Sequence, residues 1–122
     1  MQIKLQTTNI ILYCKKWTQT VDFYRKLLAL PVLFENDWFV EFALNAASRL
    51  SIADENRASV KSSKGAGITL ALEAADMETL WAQMGKLRLN PTAIRAHPWN
   101  AKVFYLFDPE GHRIEIWQKT TS

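Results

Sequence analysis

One order of elements occurs twice in this chain, and that duplication limits the folds open to it more than any other feature. Residues 9–14 (Asn-Ile-Ile-Leu-Tyr-Cys) are apolar, β-branched and too short for a helix, so they predict a buried strand. Thr18 then offers an N-cap, and Val21, Tyr24, Leu27 and Leu28 recur at helical spacing until Pro31 stops the helix. Strands are expected over residues 32–35, 38–44 and 49–53, separated by the turn-forming stretches 36–37 and 45–48. The second half repeats this order. Residues 68–73 predict a strand, and Asp76 caps a helix with apolar positions Met77, Leu80, Trp81, Met84 and Leu87, which Pro91 ends. Strands are expected near residues 92–95, 102–107 and 112–118, with Asp108-Pro109-Glu110-Gly111 as a turn.

Each half therefore reads as β-α-β-β-β: one module over about residues 4–55, a Ser- and Lys-rich linker over 56–65, and a second module over about 66–119. A module of this size has one helix and one uncovered sheet face, too little for independent stability, so the two are expected to pair as a single domain spanning 1–122. The fold class expected is α+β, a curved mixed sheet with the helices outside and a concave cleft inside. Such a cleft suits a small molecule.

Other classes are excluded by what the chain lacks. Its longest apolar runs are strand-sized, far short of the roughly 20 residues that cross a bilayer, and residues 1–6 show no secretory pattern, so a cytoplasmic protein is expected. Cys14 is the only cysteine, which rules out an intramolecular disulfide and reads as a buried core residue. The net charge of +3 is spread: residues 1–60 carry seven basic and six acidic groups, and residues 61–122 carry eight and six. No basic stripe for nucleic acid emerges.

Residues 98–102 (Pro-Trp-Asn-Ala-Lys), then Phe104-Tyr105-Leu106-Phe107-Asp108-Pro109-Glu110-Gly111-His112-Arg113-Ile114-Glu115-Ile116, resemble the C-terminal signature of the vicinal-oxygen-chelate superfamily of glyoxalases, bleomycin-resistance proteins and dioxygenases. Asp22-Phe23-Tyr24-Arg25-Lys26-Leu27-Leu28 is similar to the first helix of the same group, with Leu30 where glycine is common. The resemblance spans roughly residues 8–118. It implies paired βαβββ modules, commonly assembled as a homodimer. Its enzymes use a divalent metal, whereas its drug-resistance members bind a ligand in the equivalent cleft.

The resemblance places the four metal-ligand positions at Asn9, Ser51, Gly67 and Glu115. Only Glu115 is a good ligand; Asn9 and Ser51 are neutral oxygen donors, and Gly67 has no side chain. No high-affinity metal site and no cofactor are expected. His97 and His112 lie away from these positions and read as exposed loop residues.

Glu115 alternates with Ile114 and Ile116, so it faces the cleft if the isoleucines pack under the helix. Asn9 and Tyr13 share a strand face, and Glu41 is the only charge in residues 38–44. Trp38, Trp99 and Trp117 fall in strand or rim segments, with Phe42, Tyr105 and Phe107 nearby, whereas Trp81 and Trp17 read as helix packing. Lys102 stands at the arginine position of the signature, and Arg95 is a candidate for an anionic ligand group. The ligand-contacting set expected is Asn9, Tyr13, Trp38, Glu41, Phe42, Ser51, Trp99, Lys102, Tyr105 and Glu115.

These readings favour a metal-independent protein that binds an aromatic or drug-like molecule. The alternative is a lyase, transferase or dioxygenase of the same superfamily with an atypical or metal-free active site, although the sequence reveals no positioned acid–base pair.

Overall fold

Strand β1 (Thr8–Cys14) buries Leu12 and Cys14 on one face and turns Asn9, Ile11 and Tyr13 to the other, as period-two alternation requires. The structure is a computed structural model and describes residues 1–120. The chain divides into two compact units between Lys64 and Gly65.

The first unit continues with α1 (Trp17–Asp22), which widens into a π-helical turn over Phe23–Leu27, then β2 (Val32–Glu35), β3 (Phe39–Asn45) and β4 (Ser48–Asp54). Its sheet order is β1-β4-β3-β2, with β1 parallel to β4 and the other pairs antiparallel. The second unit carries β5 (Thr69–Glu73), α2 (Met77–Lys86), β6 (Arg95–His97), β7 (Ala101–Phe107) and β8 (Arg113–Lys119). Its order, β5-β8-β7-β6, repeats that of the first, again with one parallel pair, β5 with β8. Each unit is thus a β-α-β-β-β module, and the fold is α+β. Among the described residues no helix is long and apolar enough to cross a membrane.

In the first unit the core side of the sheet holds Leu12, Cys14, Val40, Phe42, Leu50 and Ile52, all buried. Tyr24 packs on Phe42 with ring centroids 6.2 Å apart, and Trp17 Nε1 donates to the Ile52 carbonyl at 2.9 Å. In the second, Phe104, Leu106, Ile114 and Ile116 are buried, with Met77 and Met84 of α2. The Gln118 side chain accepts the Met77 N–H at 2.9 Å, which places the start of α2 on this side of β8.

Several local expectations are corrected. Thr18 does not cap α1; the helix starts at Trp17, and Lys16 in the cap position makes no side-chain cap bond. The helical spacing of Leu27 and Leu28 fails because Leu28 N–H bonds Phe23 O, five residues back, and the widened turn leaves Leu27 exposed. Asp76 does cap α2, accepting from Thr79 N at 3.3 Å and Thr79 Oγ1 at 2.7 Å. That helix ends at Lys86, well before Pro91, because Arg88 and Asn90 take φ of 59° and 61°. The same left-handed turns carry β6 on to Arg95–His97 rather than 92–95. Trp81 is not part of the buried core, remaining 37% exposed; its Nε1 donates to the Thr92 carbonyl at 2.8 Å.

His112 is the largest departure. It is 1% exposed, and its Nδ1 lies 2.8 Å from Asp108 Oδ2. Asp108 Oδ1 also accepts the backbone N–H groups of Glu110, Gly111 and His112, each at 3.0 Å, so the 108–111 turn is closed from inside.

Candidate functional site

Both sheets have a face opposite the helix, and strand alternation decides which side chains reach it. In the first unit this face carries Asn9, Tyr13, Arg49, Ser51 and Glu41. Ser51 Oγ donates to Asn9 Oδ1 at 2.7 Å, and Arg49 Nη1 donates to Glu41 Oε2 at 3.0 Å. Glu41 lies directly across from Ser51 in the β3–β4 register. Asn9 and Ser51, and Arg49 and Glu41, thus pair with each other, while Arg49 Nε is buried without a hydrogen-bond partner.

Phe42 does not belong to this set. As Glu41's neighbour it must point the opposite way, and it is fully buried against Tyr24. Trp38 lies just before β3, half-buried, with its ring edge-on to Phe39 at 5.5 Å.

In the second unit the corresponding face carries a pocket of about 490 Å³. Its walls are His97 from β6, Trp99 and Asn100 from the β6–β7 hairpin, Ala101 and Val103 from β7, Glu115, Trp117 and Lys119 from β8, and Thr120. The register explains the assembly: His97 opposes Ala101, Ala101 opposes Lys119, and Val103 opposes Trp117, all on one face. The His97 and Trp99 rings lie 6.4 Å apart at 37°, and His97 Nδ1 accepts the Trp99 N–H at 3.4 Å. Trp99 is 80% exposed at the rim.

Among the described residues Glu115 is the pocket's only carboxylate. Tyr105 lies directly across from it, and the Arg113 guanidinium sits over the Tyr105 ring at 4.7 Å. Lys102 turns the other way, to the helix side, where its Nζ bonds Glu78 Oε1 of α2 at 2.7 Å. Its place in the signature motif therefore does not make it a pocket residue. His97 was expected in an exposed loop but lies half-buried in β6 and walls the pocket; only the displacement of β6, invisible in local sequence, puts it there. Trp117 could be found from sequence alone, since it shares parity with Glu115.

The four positions at which the superfamily's enzymes hold a metal do not fit one here. Asn9 and Ser51 are neutral and bonded to each other, and Gly67, outside β5 at φ +75°, offers no side chain. Among the described residues no three His, Cys, Asp or Glu side chains group to hold an ion.

The profile of a family described as a glyoxalase-like domain matches residues 7–120. No curated protein sequence matches the chain. Solved structures that share the fold include a lactoylglutathione lyase from Agrobacterium tumefaciens, 16% identical at a TM-score of 0.78, with 96% of both chains covered. A glyoxalase/bleomycin resistance protein/dioxygenase from Nocardioides is 18% identical at a TM-score of 0.81, covering 100% of this chain and 88% of that one. An antibiotic binding protein from a Streptomyces species is 19% identical at a TM-score of 0.76, covering 98% of this chain and 99% of the other. At such identities the likeness is one of fold.

Proposed function

The chain belongs to the glyoxalase-like domain family of the vicinal-oxygen-chelate superfamily, and from that premise we propose that it binds a planar, drug-like small molecule without a metal. The observation that carries this reading is the pocket on the open face of the second sheet. Its volume of about 490 Å³ lies within the range of small-molecule sites. Two tryptophans and an imidazole supply flat surfaces for stacking, and Val103 and Ala101 supply an apolar floor. A single carboxylate fixes orientation.

Binding needs shape and a few polar anchors, both of which the pocket has. A superfamily enzyme would need a metal quartet or an acid–base pair, and the donor set of Asn9, Ser51, Gly67 and Glu115 favours neither. That a Streptomyces protein of the same fold is described as antibiotic binding supports the choice of ligand class. Homodimer assembly is part of the proposal: edge strand β2 exposes Val32, Leu33 and Phe34, and sedimentation analysis tests it.

The function is tested by titrating the full chain with a panel of planar aromatic and antibiotic compounds, reading thermal stabilisation and tryptophan fluorescence. Saturable binding that persists in EDTA is expected, and it is weakened by Trp117→Ala. Binding that disappears on chelation, or no stabilisation by any compound, overturns the reading.

A further inference from the structure

The geometry points to a cationic ligand: a planar aromatic ring carrying a positive charge, stacked between Trp99 and Trp117 with that charge against Glu115. This rests on the pocket's being the binding site, and it adds the chemistry the pocket selects. The charges around the pocket are unevenly committed. Lys119 Nζ leans toward Glu73 Oε2 at 4.0 Å. Arg113 is held at the other end, with Nε donating to Thr69 Oγ1 at 3.0 Å and its guanidinium over Tyr105. Glu115 has no ion-pair or hydrogen-bond partner among the described residues. It stands half-buried among aromatic and aliphatic groups.

Distance isolates it further. Lys119 is four residues along the strand, about 13 Å by backbone spacing against a screening length of about 8 Å at physiological salt. Arg113, two residues away at about 7 Å, is turned to Thr69 and Tyr105. The same screening keeps the chain's net charge of +3 from deciding the local preference. A carboxylate partly removed from water gains most from a donor that is itself charged. The tryptophan faces act in the same sense, since their negative π-clouds attract a delocalised cation. An anionic ligand would meet Glu115 directly, with Lys119 at the far end of the pocket and Arg113 already engaged by Thr69 and Tyr105, whereas a neutral one would leave that carboxylate covered and unpaired.

The test uses three molecules built on one ring system, at neutral pH, by equilibrium dialysis with the full chain: proflavine, a cation; acridine, neutral; and acridine carboxylate, an anion. Proflavine is expected to bind roughly tenfold tighter than acridine, as one charge-assisted contact implies. Glu115→Gln lowers proflavine to acridine's level, and its urea unfolding transition, measured separately, reports that the variant is folded. Rising salt weakens proflavine and spares acridine in the unmodified protein, so the outcome does not hang on the variant. If acridine or its carboxylate binds as well as proflavine, the charge assignment falls and the pocket reading stands. If none of the three binds while another planar compound of the panel does, the charge assignment alone falls; if nothing in the panel binds, both fall.

Discussion

The Asp108 carboxylate and the His112 imidazole lie 2.8 Å apart, both almost wholly out of solvent, in the turn that leads into β8. The second carboxylate oxygen accepts three consecutive backbone N–H groups. One side chain therefore satisfies four donors and sets where β8 begins. A strand's starting residue fixes the parity of everything after it, so this turn decides that Ile114 and Ile116 face the helix while Glu115 and Trp117 face the pocket. Gly65 presses on the same turn: at φ +84°, a Cβ there would fall 2.1 Å from the Gly111 carbonyl oxygen.

Asp108→Ala strands those donors. Leaving buried donors unpaired costs about 1–3 kcal/mol apiece, less whatever water can enter to satisfy. A loss of about 2–4 kcal/mol is expected, visible in urea unfolding as a lower midpoint at unchanged slope. A loss below about 1 kcal/mol would mean that the backbone holds the turn without the carboxylate.

The duplicated module and the parity of Glu115 were legible in the sequence because both are periodic. Asn9, Ser51, Glu41 and Tyr13 also emerge on one face of their sheet, as alternation requires. The misplacements share one origin, which is that motif position carries no information about side. Lys102 occupies a signature position, yet it alternates with Val103 and so must face α2 when Val103 faces the pocket. Glu41 and Phe42 are neighbours and cannot share a face. His97 and His112 were misread for another reason. Their surroundings depend on left-handed turns at Arg88 and Asn90 and on a side chain folded back into its own turn, which hydrophobic periodicity does not register.

Asp76 gives a pH dependence. The Thr79 hydroxyl and backbone N–H hold its carboxyl below the ordinary value of 3.8. A depressed carboxyl contributes stability above its unfolded pKa, and that contribution is lost as pH falls through the folded value. Asp76→Ala should therefore melt at a lower temperature than the unmodified chain at neutral pH. The gap should narrow once pH drops below 3.8, as thermal melts across that range would record. A gap independent of pH would assign the effect to something other than the charged cap.

Phe42 and Lys102 test which face is the binding face. Phe42→Ala empties a fully buried site beneath Tyr24 and should cost about 3–5 kcal/mol. Lys102→Met breaks a partly exposed pair with Glu78 and should cost about 1 kcal/mol or less. Ligand affinity of the folded Lys102→Met protein should be unchanged. A clear drop would return Lys102 to the pocket.

Trp99 separates binding from folding more cleanly than any other residue. At 80% exposure it supports little of the second unit's core, so Trp99→Ala should leave stability within about 0.5 kcal/mol. It is also a wall of the pocket, paired with His97, and removing it takes away one stacking surface. A stacking contact worth about 0.5–1.5 kcal/mol corresponds to an affinity loss of about twofold to tenfold. Trp117 is half-buried in β8 opposite Val103, so Trp117→Ala should lower both stability and affinity. Parallel unfolding and titration of the two variants decides the matter. If Trp99→Ala binds the panel as tightly as the unmodified protein, the rim takes no part in holding the ligand, and stacking must be assigned to Trp117 alone.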